Sequence, residues 1–383
     1  MQQQKPTSSA EMGRAEKEQL DRTLNLHINT IHETFQVLDQ ASPSSLEKVS
    51  WYHVVQMGEL LSKQATIVGM LWTGESPEAK AIEETMESYV NLLQGFLLLS
   101  HGSSVSAGPT LSSSIHESVR QVVDCSFKLL KESVSLYDEI PSILAGSYNK
   151  DRKNSIPRFV GTVWEACSAL NKCPATNITA IGRAMTQVAV SVEDVLREMK
   201  ELKPVSSDVM DETSDRASTK PENEPQEEDD FSEDDLGNDL SEEEMEIAQL
   251  AVGVVSGTLA TVKELIRAIT DLIKLENPDD NGKFVGSLEK LLKLCQEVGA
   301  QIDELGACLY PPQELPAIKV ALEKISSSID EVQLEMESFK SSSEPLVQSF
   351  SDLRTSIKQM LHHLDCVDTK VVVDKLQNVA LTN

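Results

Sequence analysis

The chain has 383 residues, of which 40% are hydrophobic, 25% are charged and only 4% are aromatic. This length allows two or three domains, and aliphatic cores with few aromatic rings favour helical bundles over β-sandwiches. The formal charge of −28 repels phosphate backbones and argues against direct binding of nucleic acid.

Apolar residues recur at alternating spacings of three and four in the first half of the chain, which predicts amphipathic helices. Residues 1–13 are polar, lack the apolar core of a signal peptide and are predicted to be a disordered tail. Residues 14–203 are predicted to form one bundle of five or six helices. The predicted helices lie at about residues 20–38, 44–72, 77–101, 111–137, 158–170 and 178–202.

Two helix starts carry recognisable capping residues. Ser76 is predicted to cap the third helix, with Pro77 at its first position. Ser241 is predicted to be the N-cap of the first helix of the second half, with Glu244 completing a capping box.

The apolar pattern stops between residues 204 and 240, which are predicted to be an acidic, flexible linker. Residues 204–246 contain 18 acidic residues against two basic ones, so more than half of the formal charge lies here. Ser232 and Ser241 each precede an acidic run, as acid-directed kinases prefer, so both are candidate phosphorylation sites. A serine used only for solubility and capping explains the same pattern equally well.

Residues 241–379 are predicted to form an antiparallel four-helix bundle. The uncharged run at 247–262 has sixteen residues, fewer than the roughly 20 that a bilayer span needs, so it is predicted to be a buried helix with no membrane contact. Tyr310, Pro311 and Pro312 form the loop of a predicted helix-loop-helix hairpin between residues 283 and 339. Two seven-residue apolar series follow in the last helix, and either a bundle core or a zipper for a partner explains them.

No catalytic, metal-binding or cofactor-binding motif is present in the sequence. No histidine follows a glutamate by three residues, as a di-iron bundle site requires, and no phosphate-binding glycine loop or nucleophile elbow occurs. The six cysteines are scattered and are predicted to be reduced thiols. The sequence therefore predicts a protein that is not an enzyme, and it leaves the oligomeric state open.

Four stretches in order resemble the cyclin-D-binding protein family, whose members are also described as cyclin-D-interacting, helix-loop-helix-like proteins. They are residues 61–66 (LSKQAT), 163–167 (VWEAC), 231–235 (FSEDD) and 309–312 (LYPP). The resemblance implies an all-helical, two-lobed protein that binds a D-type cyclin or a helix-loop-helix transcription factor. It also implies a restraint on cell-cycle entry and a location in the nucleus and the cytoplasm.

Two other functions are consistent with the same sequence features. A structural adaptor of cytoskeletal type would also be built from helical bundles, and it would sediment with actin filaments. An acidic chaperone for basic proteins would depend on the acidic residues between 204 and 240.

Overall fold

The computed structural model describes residues 9–40, 47–73, 76–137, 155–204, 239–275, 284–339 and 343–381. Within these ranges it contains ten α-helices, two short 3-10 helices and one pair of two-residue strands. The prediction of an all-helical protein is confirmed. The acidic segment at 205–238, with its candidate phosphorylation site Ser232, lies outside the described residues.

The helices follow the predicted order, with boundaries close to those expected from the apolar spacing. They are α1 (Ser9–Gln36), α2 (Trp51–Met70), α3 (Ala79–Ser103), α4 (Pro109–Tyr137), α5 (Ser155–Ala169), α6 (Asn177–Lys200), α7 (Glu242–Leu275), α8 (Val285–Ala307), α9 (Leu315–Ser338) and α10 (Glu344–Leu381).

Three helix starts differ from the sequence expectations. Helix α1 already begins at Ser9, so the last five residues of the predicted tail are helical. Helix α2 begins at Trp51, after an N-cap formed by Ser50. Helix α3 begins at Ala79 with Glu78 as its N-cap, so the predicted cap at Ser76 is wrong. The predicted cap lies two residues too early, because the first intrahelical bonds of α3 are accepted by the Glu78 carbonyl.

The first compact unit contains α1 to α5, whose apolar faces form one continuous core. Its buried aromatic residues have their polar atoms paired, as burial requires. The Trp51 Nε1 atom donates to the Leu170 carbonyl at 3.0 Å, and the Trp72 Nε1 atom donates to the Ser133 hydroxyl at 2.9 Å. These bonds connect the two ends of α2 to the turn after α5 and to α4.

Asn177 connects the start of α6 to the loop between α3 and α4. Its side chain is only 2% exposed. The Oδ1 atom accepts from the Gly108 backbone N–H at 2.7 Å, and the Nδ2 atom donates to the Ser106 carbonyl at 3.0 Å. Both halves of the amide are therefore used to hold a backbone turn in which Ser106 has a φ of 62°.

The boundary between the two compact units falls between Ile181 and Gly182, within α6, and not at residue 203 as the sequence analysis placed it. From Gly182 onward, α6 packs with the helices of the second unit. Cβ atoms built on Gly299 and Gly306 of α8 would lie 3.0 Å from the γ-methyl groups of Val188 and Val195, respectively. The two small glycines let α8 approach α6 closely, which explains where the apolar face of α6 is buried.

The second unit therefore contains five helices, α6 to α10, one more than the predicted four. Helices α7 and α10 pack tightly along their length, with Leu353 against Gly257. Most residues of the two seven-residue series of α10 are buried, which makes them part of the core. The buried members are Leu346, Phe350, Leu353, Ile357, Met360 and Leu364.

A pair of short parallel strands flanks the acidic segment. Strand β1 (Lys203–Pro204) pairs with β2 (Asp239–Leu240), so that Lys203 lies opposite Asp239 and Pro204 lies opposite Leu240. Strand β1 follows α6 and β2 precedes α7, and both strands belong to the second unit.

Candidate functional site

Trp164 is the one exposed tryptophan in the chain, since Trp51 and Trp72 are buried. Its side chain lies on α5, is 48% exposed and rests against α2. The Nε1 atom donates to the Ser62 carbonyl at 3.1 Å and to the Thr66 hydroxyl at 3.2 Å. These two bonds fix the indole ring, while about half of the residue remains exposed.

A shallow groove of about 500 Å³ lies beside this ring, between α2 and α5. Helix α2 supplies Glu59, Ser62, Lys63 and Thr66, and α5 with the residues after it supplies Trp164, Cys167, Ser168 and Asn171. The groove therefore brings together residues 61–66 and 163–167, two of the four family-like stretches. Its volume lies in the range of small-ligand pockets, but six of its eight lining residues are polar or charged, whereas ligand pockets are mostly apolar, so the groove favours contact with a protein surface.

Two glycines of α2 allow the close approach of α5 beneath the groove. A Cβ atom on Gly58 would lie 2.6 Å from Leu170 Cδ1, and one on Gly69 would lie 3.0 Å from Val160 Cγ2. Both distances are below normal van der Waals contact, so larger residues there would force α2 and α5 apart. The shape of the groove depends on these two positions.

Cys167, which lines the groove, is an unreactive thiol. Burial raises the pKa of the Cys167 thiol to about 11, and a hydrogen bond with Ser62 opposes this shift only in part. At neutral pH the thiol is protonated and is a poor nucleophile. All six cysteines are free, as predicted.

Ser241 and Gln313, the residue after the Tyr310–Pro312 loop, both bond to Glu244 in the first turn of α7. The Ser241 hydroxyl accepts from the Glu244 N–H at 3.3 Å, and Glu244 Oε2 accepts from the Ser241 N–H at 3.0 Å, which confirms the predicted capping box. The hydrogen bonds that the Glu244 carboxylate accepts lower its pKa, with the Ser241 backbone N–H as the largest cause. Gln313, the residue after the loop, donates from Nε2 to the Glu244 carbonyl at 2.9 Å.

The helix-loop-helix hairpin of the sequence analysis corresponds to α8, the loop around Tyr310 and α9. Its apolar residues are buried within the second unit, including Leu291 and Ile302 of α8 and Leu322 and Ile329 of α9. Tyr310 and Pro312 are exposed. The hairpin is thus present, but its apolar face is not available on the surface of the folded unit.

Comparison with known proteins gives the same family over most of the chain. Residues 53–205 match the family described as Grap2 and cyclin-D-interacting, N-terminal, and residues 222–334 match Grap2 and cyclin-D-interacting, C-terminal. The chain belongs to the Grap2 and cyclin-D-interacting family. The resemblance drawn from the four short stretches is therefore confirmed.

Two curated relatives of this family carry the name cyclin-D1-binding protein 1 homolog. The chain is 22% identical to the one from Xenopus laevis over 272 residues, which cover 71% of this chain and 74% of that protein. It is 24% identical to the one from Danio rerio over 200 residues, which cover 52% of this chain and 53% of that protein. The N-terminal Grap2 and cyclin-D-interacting match includes every residue that lines the groove at Trp164.

In the described part of this family member, no group of three or more His, Cys, Asp and Glu side chains is placed to hold a metal ion. One helix, over Glu242–Asp271, is long and apolar enough to cross a membrane by length and composition alone. Half of its most apolar window is buried against other helices of the second unit, as in the core helix of a bundle.

The groove was not predicted from the sequence, although two of the family-like stretches line it. The sequence places Trp164 in the fifth helix and in the stretch at 163–167, but it does not show that residues 61–66 of α2 lie beside it. A residue pattern shows which side of a helix is more apolar, but Trp164 is large and amphipathic and fits either a core or a surface.

Proposed function

We propose that this chain is a regulatory interaction protein without enzymatic activity that binds a D-type cyclin and thereby restrains cell-cycle progression. Its membership of the Grap2 and cyclin-D-interacting family supports this proposal, as do the relatives named for binding cyclin D1. The protonated Cys167 thiol supports a binding role for the groove over a catalytic one. In line with this role, the protein would act in the nucleus and the cytoplasm.

The observation that carries the proposal is the exposed indole of Trp164 in a groove built from two family-like stretches. Tryptophan is over-represented among the residues that dominate binding energy at protein interfaces, because it buries a large area with few torsions to fix. Here two hydrogen bonds already hold the ring before any partner arrives. Such pre-organisation lowers the entropy cost of binding.

A helix-loop-helix transcription factor is the second partner class. Pairing through the α8–α9 hairpin would require the second unit to open, because Leu291, Ile302 and Leu322 are buried. The hairpin has no basic segment before it, so a mixed pair would lack half of its phosphate-neutralising surface and would be inhibitory. Direct contact with nucleic acid or a membrane is not part of this proposal.

Binding of the full chain to a purified D-type cyclin tests the proposal. We expect retention in a pull-down, and we expect Trp164→Ala to weaken the affinity by at least about tenfold, which corresponds to ~1.4 kcal/mol. Tyr310→Ala, which removes an exposed aromatic ring from the second unit, is the matched control and should bind like the wild type. If the wild-type chain retains no D-type cyclin, the proposal is wrong.

A further inference from the structure

The side of α2 that faces away from the core has its own helix-packing pattern. Gln56, Leu60, Lys63, Ile67 and Met70 follow each other at spacings of four, three, four and three, and we call them the outer seam. At about 100° per residue these five side chains fall within one narrow stripe. The buried residues of α2, such as Leu61 and Val68, lie on the opposite side.

The outer seam is exposed, carries three large apolar side chains and adjoins the groove at Trp164. Leu60, Ile67 and Met70 are all among the exposed large hydrophobic residues of the chain. Single exposed aliphatic residues are normal, but three at helical spacing on one side of α2, next to a groove that holds an exposed tryptophan, indicate a contact surface. Lys63 belongs to both features, because it also lines the groove.

We propose that the outer seam and Trp164 together receive one amphipathic α-helix of the partner, with an acidic side chain of that helix opposite Lys63. This inference rests on the proposed function and specifies its binding mode. Alternating spacings of three and four are the spacings at which the apolar residues of two helices interlock. The seam spans 14 residue steps, or about 21 Å at 1.5 Å per residue, so a partner helix of about four turns would cover it.

Lys63 determines the charge of the partner helix. Within the described residues, no carboxylate lies within 4.0 Å of its ammonium group, although Glu59 lines the same groove. A helix laid over the seam would remove water from this ammonium group, which is costly unless a carboxylate replaces the water. A partner helix with an acidic residue opposite Lys63 is therefore favoured over one with a neutral or basic residue there.

A second copy of this chain fits the seam less well. An antiparallel copy that set its aliphatic residues against Leu60 and Ile67 would bring two Lys63 ammonium groups together. Like charges at a desolvated contact are unfavourable and act against that pairing. The charge at the centre of the seam thus favours a different, acidic helix.

Fluorescence of the full chain gives a direct measurement of seam occupancy. Trp164 is exposed, whereas Trp51 and Trp72 are buried, so acrylamide quenching reports mainly on Trp164. The probes are two synthetic peptides of about 18 residues, each with leucines at spacings of three and four. One peptide carries a central Glu and the other a central Lys.

We expect the Glu peptide to protect Trp164 from quenching and to bind at least about tenfold more tightly than the Lys peptide. In Lys63→Glu this preference should reverse. Lys128→Glu, a charge reversal at an exposed position of α4, should keep the wild-type preference. Equal binding of both peptides to the wild-type chain, or an unchanged preference in Lys63→Glu, would overturn the inference.

The same variants, measured with a D-type cyclin, separate this inference from the proposed function. We expect Leu60→Glu/Ile67→Glu to lose cyclin binding and Leu98→Glu, at an exposed leucine of α3, to keep it. Cyclin binding that survives in the double variant overturns the seam but leaves the proposed function standing. Self-association of the wild-type chain in sedimentation that is lost in the double variant would make a second copy the occupant, and it would also overturn the inference.

Discussion

At the scale of single residues, the buried Cys167 thiol makes the first unit sensitive to alkaline pH. Its folded pKa is about 11, above the ordinary 9.0, so the folded state keeps a proton that the unfolded chain releases. Stability from this group is complete below pH 9 and falls as pH rises from 9 to 11. The slope reaches at most ~1.4 kcal/mol per pH unit.

Urea unfolding of the full chain between pH 8 and pH 11 measures this dependence. We expect Cys167→Ala to reduce the loss of stability of the first unit with rising pH, although buried Tyr89 and partly buried Tyr137, whose pKa values are also raised, keep part of it. The cavity left by the substitution lowers the stability by the same amount at every pH. Cys366→Ala is the control, because Cys366 is exposed, and it should leave the slope unchanged. Equal slopes in the wild type and in Cys167→Ala would show that other groups control alkaline stability.

Ser241 also acts at the residue scale, through the capping box of α7. We expect Ser241→Ala to cost about 1 kcal/mol in local stability, because the Glu244 N–H loses its acceptor. Faster amide hydrogen exchange in the first turn of α7 would reveal the loss. Glu243→Ala, in the same turn but outside the box, should have a smaller effect, and equal effects would contradict the role of the box.

Phosphorylation of Ser241 would act against the same box. The Ser241 hydroxyl donates to Glu244 Oε2 at 2.8 Å, so a phosphate on this oxygen would meet a carboxylate at contact distance. The sequence shows only that a phosphate at a helix N-terminus is favoured by the helix dipole. The structure adds the opposing repulsion, which the spacing of residues along the chain does not reveal.

At the scale of helices, the approach of α2 and α5 is set by Gly58. We expect Gly58→Ala to lower the stability of the first unit by about 1–2 kcal/mol relative to Gly95→Ala. Both substitutions gain the same helix propensity, but the new Cβ would lie 2.6 Å from Leu170 Cδ1 in the first case and 3.6 Å from Met57 Cε in the second.

Thermal unfolding of the two variants measures this difference. Leu170 is buried and has little room to move aside, so the strain should also change the quenching of Trp164 above it. Variants of equal stability and equal quenching would show that Leu170 adjusts without cost.

Helix positions were largely predictable from the sequence, but the partners of some helices were not. The apolar rhythm of α6 predicts a helix with one buried face, and the structure has that helix. The rhythm does not say which helices cover this face, because that depends on distant residues such as Gly299 and Gly306 of α8. The outer seam was readable at Leu60, Lys63 and Ile67, but only the structure shows that this second pattern on α2 is exposed.

At the scale of the whole molecule, α6 determines where the chain can be divided. We expect a fragment of residues 177–383 to fold cooperatively and a fragment of residues 204–383 to be much less stable, because only the first retains α6. The shorter fragment lacks Val188 and Val195, and without them the apolar surface of α8 that packs against α6 is exposed to water. Circular dichroism and limited proteolysis of the two fragments test this expectation, and equal stability would return the boundary to residue 203.

The pairing of β1 with β2 allows the length of the acidic segment between them to change. Lys203 lies beside Asp239 at strand spacing, so the 34 residues from 205 to 238 begin and end at neighbouring points. Their number therefore does not set the separation of α6 and α7, which the strand pair holds together. Insertions and deletions in this acidic stretch should thus accumulate freely during evolution without displacing either helix.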